Sequence, residues 1–307
     1  MPAPSPLSAL PLDAPPALEP DLHDVDSQSG PAAPASPKPT PPQPTPPHAG
    51  RHRTASDSPA DPAPRHAIDL DAANAELHDA TPEDVLRWGF DRFGERLVMT
   101  SSFGAQSAAM LHLANTVVPG IPVILIDTGY LFPETYAFAL DLKLRLGLNL
   151  KVVAPKITPA FLEQAHGRLW EQGEQGLDRY HQLMKVEPLQ RALTQLDAQG
   201  WVAGLRAGQT DHRADLPRVT EQHGVVKLHP ILPWTGKDVH DYLVRHDLPY
   251  HPLVKRGYLS IGDTHSTAPV TEGMDERAGR FGGVKQECGI HLPASEAEEA
   301  SWESSGL

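Results

Sequence analysis

The sequence predicts an α/β fold, with a twisted, mainly parallel sheet flanked by helices. Short apolar runs alternate with longer helical patterns between residues 81 and 155, an order typical of parallel strands joined by right-handed crossovers. The run IPVILID at 121–127 is apolar almost throughout, as expected of a strand covered on both faces. These two observations favour a central sheet between layers of helix.

Helix starts are marked by capping signals. Thr81 is followed three residues later by Asp84, and Thr235 by Asp238, which is the spacing of an N-terminal capping box. The predicted elements, in chain order, are a helix over 81–93, a strand over 96–102, a turn over 103–107, a helix over 107–115, a strand over 121–127, a helix over 133–147, a strand over 149–155, a helix, break and helix over 177–196, strands over 201–206 and 225–232, and a helix over 235–247.

The chain divides into three parts by composition. More than half of its 33 prolines fall in residues 1–65, which hold few large apolar side chains to offset the entropy of ordering. We therefore expect a disordered Pro/Ala-rich tail over 1–65 and a folded α/β domain over 66–250. Regular periodicity fades after about residue 250, so we expect residues 251–307 to form an irregular C-terminal segment with a mobile tail.

Charge and composition disfavour several classes of function. The formal net charge of −13 disfavours a nucleic-acid or anionic-membrane partner, although a local basic site for a small anion is compatible with it. No apolar run approaches the roughly 18–20 residues that a membrane span needs. The 16 histidines show no metal-ligand spacing, and a single cysteine fits a reducing compartment. We expect a cytoplasmic protein without a metal site.

Two loops that follow predicted strands could bind an anion. Ser101, Ser102 and Gly104 place hydroxyl and backbone N–H groups before a helix, a geometry that accepts phosphate or sulfate. Asp127 and Thr128 follow the next strand, at the edge where open α/β sheets place ligands. Each loop is also compatible with a purely structural turn.

Cations gather in the sequence around the one cysteine. Cys288 lies in KQECGIH at 285–291, between Lys285 and His291. A neighbouring cation lowers the pKa of a thiol and favours the reactive thiolate, whereas a lone cysteine is also often a small buried apolar residue. Further cations are found upstream, at Lys185, Arg206, Arg213, Arg277 and Arg280. The alternative interpretation is that these cations lie in ordinary charged loops exposed to solvent.

Together these stretches resemble the phosphoadenylyl-sulfate (PAPS) reductase family, the thioredoxin-dependent enzymes of sulfate assimilation. The resemblance spans about residues 68–292 and depends on seven blocks in the family's order. The blocks are SSFGAQSA (101–108), IPVILIDTGYLFPETY (121–136), LWEQG (169–173), KVEPLQRAL (185–193), GLRAGQTDHRADLP (204–217), HPLVKRGYLSIGDTHST (251–267) and ECGIH (287–291).

The resemblance implies an adenine nucleotide α-hydrolase-like sheet and a catalytic role for Cys288. Its thiolate is expected to attack the sulfo group of PAPS, release adenosine 3′,5′-bisphosphate and become S-sulfocysteine. A thioredoxin or glutaredoxin thiol then releases sulfite, and no bound cofactor is expected. The expected substrate-binding residues are Ser101, Ser102, Phe103, Gly104, Gln106, Asp127, Thr128, Gly129, Lys185, Arg206, Arg213, Arg277, Arg280, Lys285 and His291.

A sister branch reduces adenylyl sulfate (APS), which lacks the 3′-phosphate, and typically holds an iron–sulfur cluster through two cysteine pairs. The resemblance places those pairs at Tyr180 and His181 and at Asp263 and Ser266, so no such cluster is expected. These relatives also tend to show Glu-Asp where Gln106 and Ser107 stand in this chain, which favours the more highly charged substrate.

One departure from the family and several rivals leave substrate preference open. Cluster-free relatives often carry a basic and an acidic residue where this chain has Ala207 and Gly208. The alternatives are a cluster-free APS reductase, an ATP-pyrophosphatase-type adenylyl transferase, and a nucleotide-binding regulator without activity. The relatives are commonly homodimers, and we expect the same association of this chain.

Overall fold

The structure, a computed structural model, describes residues 68–271, 277–281 and 289–291. These residues belong to one compact unit that runs from residue 64 to residue 307. The predicted disordered tail over 1–65, together with Lys285 and Cys288, lies outside the described residues. None of the described helices combines the length and the apolar character that a membrane crossing requires.

A six-stranded sheet forms the centre, in the order β3-β2-β1-β4-β6-β5. All neighbouring strands run parallel except β5 and β6, which form an antiparallel edge. The strands are β1 Leu97–Thr100, β2 Pro122–Ile126, β3 Asn149–Val153, β4 Gly200–Ala203, β5 Val219–Gln222 and β6 Val225–Leu228. The predicted mainly parallel sheet is confirmed.

Nine α-helices are found in the described part of the chain. They are α1 Leu70–Glu76, α2 Pro82–Phe93, α3 Ser107–Val117, α4 Pro133–Leu146, α5 Pro159–His166, α6 Gly173–His181, α7 Glu187–Gln195, α8 Asp211–Ala214 and α9 Gly236–Arg245. The caps predicted at Thr81 and Thr235 are confirmed, since each side chain accepts a hydrogen bond from the backbone N–H three residues later.

Alternate residues of the central strands face two different cores. Met99 of β1 and Val123 of β2 lie in the larger cluster, beneath α2, α3, α4 and α9, whereas Val98 and Ile124 lie in the cluster beneath α7. All four side chains are fully buried. A strand covered on both faces shows this two-residue period together with a continuous apolar sequence, which explains the IPVILID run.

Two predictions about elements were wrong, and some short elements were not predicted. The predicted break between two helices over 177–196 is a π-helical turn, Gln182–Val186, which joins α6 to α7 without interruption. The strand predicted over 225–232 ends at Leu228, because Pro230 has no N–H to continue a ladder. The short elements α1, α5 and β5 were not predicted, since none has enough residues to display a clear period.

Helix α2 approaches the sheet closely because two glycines lie at the contact. A Cβ atom on Gly200 of β4 would collide with the Phe93 ring and lie 2.7 Å from Leu97 Cδ1, and one on Gly89 would collide with Leu228. Glycine inside a helix or strand is unfavourable by itself. Its presence at both positions therefore reflects close packing.

We expect Gly200→Ala to lower the free energy of unfolding by about 1–3 kcal/mol, because the added methyl group overpacks the contact between α2 and β4. Gly208→Ala is the matched control, since a Cβ atom there meets no atom within 4 Å. Urea unfolding midpoints measure both variants. Equal midpoints for Gly200→Ala and the wild type would contradict this account of the contact.

Candidate active site

A cleft opens at the carboxyl ends of β1, β2 and β4, where parallel sheets place ligands. Its volume is about 260 Å³. Eleven of the residues expected to bind substrate line it, namely Ser101, Ser102, Gly104, Gln106, Thr128, Lys185, Arg206, Arg213, Arg277, Arg280 and His291. The tertiary structure thus brings together loops that are far apart in the sequence.

The loop between β1 and α3 is held in one conformation by Phe103. This residue has a φ of 49°, which non-glycine residues rarely adopt and which is common at functional sites. Its side chain is fully buried, and its N–H donates to Ser101 Oγ at 3.1 Å. Phe103 therefore does not line the cleft, but it fixes the serines and Gly104 that do.

The loop after β2 contains two residues of a structural turn and one residue that lines the cleft. Asp127 Oδ1 accepts hydrogen bonds from Gly129 N–H at 2.9 Å and from Tyr136 OH at 2.6 Å. Asp127 and Gly129 are not among the lining residues, whereas Thr128 is. Asp127 thus makes the contacts of a structural turn, and Thr128, the next residue, lines the cleft.

Five cations surround the cleft: Lys185, Arg206, Arg213, Arg277 and Arg280. Asp263 is the one carboxylate among the described lining residues, so the formal charges sum to +4 in a chain whose net charge is −13. Removal from water strengthens the field of such groups on a bound anion. The cleft is therefore suited to a compact polyanion.

The arginines are held by neutral side chains. Arg206 Nη2 donates to Gln106 Oε1 at 3.1 Å, and Arg213 Nη1 donates to Gln209 Oε1. Arg206 and Arg213 are 7% and 4% exposed. These two hydrogen bonds orient the guanidinium groups through acceptors that carry no charge.

The most deeply buried contact of the site is the ion pair between Lys185 and Asp263. Lys185 Nζ lies 2.6 Å from Asp263 Oδ2. Thr128 Oγ1 donates to Asp263 Oδ1 at 2.6 Å, and Tyr180 OH donates to Oδ2 at 3.1 Å. Burial alone would raise the pKa of Asp263, but attraction to Lys185 and these hydrogen bonds hold that pKa well below its usual value. The carboxylate is therefore ionised.

The π-helical turn explains how Lys185 enters the cleft. Such turns insert an extra residue into a helix and are frequent at functional sites. Lys185 lies within the turn and is buried, two residues before the start of α7 at Glu187. The turn places the lysine at both Asp263 and the cleft.

The four positions at which the sister branch holds its cysteine pairs are buried in this structure. Tyr180, His181, Asp263 and Ser266 are all nearly inaccessible, and Tyr180 and Asp263 are hydrogen bonded to each other. Positions 180 and 263, which are distant in sequence, are therefore joined by a hydrogen bond between a phenol and a carboxylate. In the described ranges, no group of three or more His, Cys, Asp or Glu side chains is arranged to hold a metal ion.

Two side chains of the cleft, Asp263 and Gln209, were not predicted from the sequence to act there. The sequence marked position 263 only as one that lacks a cluster cysteine. The available signal for Asp263 was a lone acidic residue in the block HPLVKRGYLSIGDTHST. Gln209 offered none, because its role depends on its distance from Arg213.

We expect Asp263→Asn to lower the free energy of unfolding by about 3–5 kcal/mol, because it leaves the Lys185 ammonium buried without a counter-charge. The double variant Lys185→Met with Asp263→Asn should recover part of the loss. Asp241→Asn, which removes an exposed pair with Lys237, is the control and should leave the urea midpoint unchanged. If Asp263→Asn lowers the free energy of unfolding no more than Asp241→Asn does, the ion pair with Lys185 does not stabilise the fold.

Known proteins are similar to this chain in both sequence and fold. Residues 96–269 match the family model described as phosphoadenosine phosphosulfate reductase domain. A relative from Alkalilimnicola ehrlichii, named phosphoadenosine 5′-phosphosulfate reductase, is 52% identical over 73% of this chain and 91% of its own length. One of the same name from Synechocystis sp. is 50% identical over 78% and 97%.

Among solved structures, the phosphate complex of PAPS reductase from Candida auris is 31% identical, with a TM-score of 0.57, and covers 65% of this chain and 96% of that one. The match to the family model includes the β1–α3 loop, the π-helical turn and the segment that carries Asp263, since all three lie within residues 96–269. The resemblance identified from the seven sequence blocks is confirmed, and the chain belongs to the phosphoadenosine phosphosulfate reductase family.

Proposed function

We propose that this protein reduces PAPS to sulfite and adenosine 3′,5′-bisphosphate in sulfate assimilation. The observation that carries the proposal is the cleft with five cations at the carboxyl edge of the sheet, in a chain about 50% identical to relatives named for this activity. A substrate with a phosphosulfate and a 3′-phosphate matches such a positive site. The loop at Ser101–Gly104 and the N-terminus of α3 add hydroxyl and N–H donors.

The chemistry is assigned to Cys288. Its thiolate attacks the sulfur of the sulfo group, the bond from that sulfur to the phosphate oxygen breaks, and adenosine 3′,5′-bisphosphate leaves with the electron pair. Lys185, Arg277 and Arg280 stabilise the charge on the leaving phosphate, and Lys285 favours the thiolate. A donor thiolate then attacks Cys288 Sγ and expels sulfite, and the donor's second thiol resolves the mixed disulfide.

The partners follow from this chemistry. The 307 residues hold a single cysteine, so the two electrons must come from a dithiol on another protein, for which thioredoxin or glutaredoxin is the proposed donor.

We further propose that the protein is a cytoplasmic homodimer. Light scattering tests the association state, because a mass twice that of the chain is expected and the mass of a single chain would contradict the homodimer.

We expect Cys288→Ser to abolish sulfite formation from PAPS, thioredoxin, thioredoxin reductase and NADPH, because an alcohol cannot replace the thiolate as nucleophile and redox centre. With PAPS and no reductant, the wild-type chain should gain the mass of one sulfo group, and the variant none. Undiminished sulfite from Cys288→Ser would exclude the assignment.

We expect kcat/KM for PAPS to exceed that for APS at least about a hundredfold, because a site that hydrogen bonds to a phosphate loses those interactions when the phosphate is missing. Gln106→Glu keeps an acceptor for Arg206 but adds a negative charge, so it should lower kcat/KM for PAPS more than for APS. Steady-state rates on both nucleotides provide the measurement. A ratio below one for the wild type would favour the APS reductase alternative.

A further inference from the structure

The described end of the C-terminal segment, Gly289–His291, lies against the β5–β6 hairpin. Gln222 Nε2, at the end of β5, donates to the carbonyl oxygen of Ile290 at 2.9 Å. Ile290 also packs against the core cluster that contains Trp201 and Val225. This three-residue piece, a single 3-10 turn, is thus held by a side-chain hydrogen bond and by apolar contact.

His291 is held by a second set of contacts on the same hairpin. Its Nδ1 lies 3.2 Å from Lys227 Nζ of β6, and its ring stacks on Trp201 with a centroid distance of 5.8 Å and an interplanar angle of 20°. Lys227 carries donor protons only, so Nδ1 acts as the acceptor. Burial and then the nearby Lys227 charge hold the pKa of His291 well below its usual value, in agreement with a neutral ring.

The side chains that hold this piece are themselves fixed. Lys227 Nζ donates to Gln222 Oε1 at 2.6 Å and lies 4.2 Å from the centre of the Trp201 ring. Trp201 is fully buried in β4, and its indole N–H donates to Thr100 Oγ1 at 2.9 Å. The hairpin turn has positive φ at both central residues, His223 and Gly224, as in the tight turns that match strand twist.

Ile290 and His291 line the cleft and also contact the hairpin. Ile290 and His291 line the cleft, whereas Trp201, Gln222 and Lys227 are not among the described residues that do so. On the other side, an added Cβ atom on Gly289 would lie 3.4 Å from Val186 Cγ2 and 3.7 Å from His181 Cβ. The piece therefore extends from the region of the π-helical turn to the hairpin.

We propose that Trp201, Gln222 and Lys227 form a hairpin anchor that positions the catalytic cysteine by holding Ile290 and His291. The inference rests on the proposed function in that Cys288 is the nucleophile. One trans peptide bond, about 3.8 Å between Cα atoms, joins residue 288 to Gly289, so holding the piece that follows restricts where the thiolate can lie. The anchor residues are positioning residues, since they reach the reaction through the C-terminal segment.

The anchor has a chemical purpose. Attack on sulfur requires the thiolate within about 3–3.5 Å and in line with the bond that breaks, and a misplacement of 1 Å can cost about a hundredfold in rate. A nucleophile placed directly before a single 3-10 turn needs external contacts to meet that requirement. The β5–β6 edge supplies them from a rigid part of the sheet.

Single-turnover kinetics test the anchor. In Gln222→Ala and Lys227→Met, the rate of S-sulfo adduct formation on Cys288 at saturating PAPS should fall about tenfold, which corresponds to the loss of one hydrogen bond. PAPS affinity, measured by equilibrium binding in the Cys288→Ser background, should stay within about twofold. Gln190→Ala is the matched control, because Gln190 contacts His223 of the same hairpin, whereas Ile290 and His291 are held by Gln222, Lys227 and Trp201.

A second measurement does not depend on activity. A nitroxide attached to the single cysteine, Cys288, should show restricted motion by electron paramagnetic resonance in the wild type and in Gln190→Ala, and several-fold faster motion in Gln222→Ala and Lys227→Met. Wild-type protein that forms no adduct but shows this mobility pattern would refute the proposed function while retaining the anchor. Equal nitroxide mobility in all four proteins, or a loss of PAPS affinity as large as the loss of rate, would overturn the anchor.

Discussion

The buried ion pair between Lys185 and Asp263 is the interaction on which the site depends. It joins three parts of the chain that are far apart in sequence: the π-helical turn, the loop that holds Thr128 and the irregular segment after residue 250. A buried charge is tolerated only when it is paired and hydrogen bonded, so each of these parts must be in place for the others to be stable. The wall of the cleft is therefore assembled as a unit.

The distribution of charge follows from this arrangement. The chain is acidic overall, and its cleft concentrates five cations against one carboxylate that is already paired with Lys185. Neutral acceptors, Gln106 and Gln209, hold Arg206 and Arg213. The cleft thus concentrates positive charge, and the net negative charge of the chain disfavours larger polyanions such as nucleic acid.

Rigid and irregular parts of the chain have separate tasks. The parallel strands and the Phe103 turn fix the donors of the anion site. The described end of the C-terminal segment, Gly289–His291, contacts the sheet edge at Gln222 and Lys227. As the proposed nucleophile, Cys288 would have to meet a buried substrate and later a thiol of another protein, a task for which a position outside the sheet is suited.

The sequence by itself determined the sheet, the caps at Thr81 and Thr235, the family and the cations, because these depend on local periodicity or on contiguous blocks. Only the tertiary structure decided that Asp263 neutralises Lys185, that Gln209 orients Arg213 and that Asp127 serves a turn. It also replaced a predicted helix break by a π-helical turn and added the antiparallel strand β5. Each of these features depends on distances between residues that are remote along the chain, or on an edge strand too short to show a period, and no local pattern records such distances.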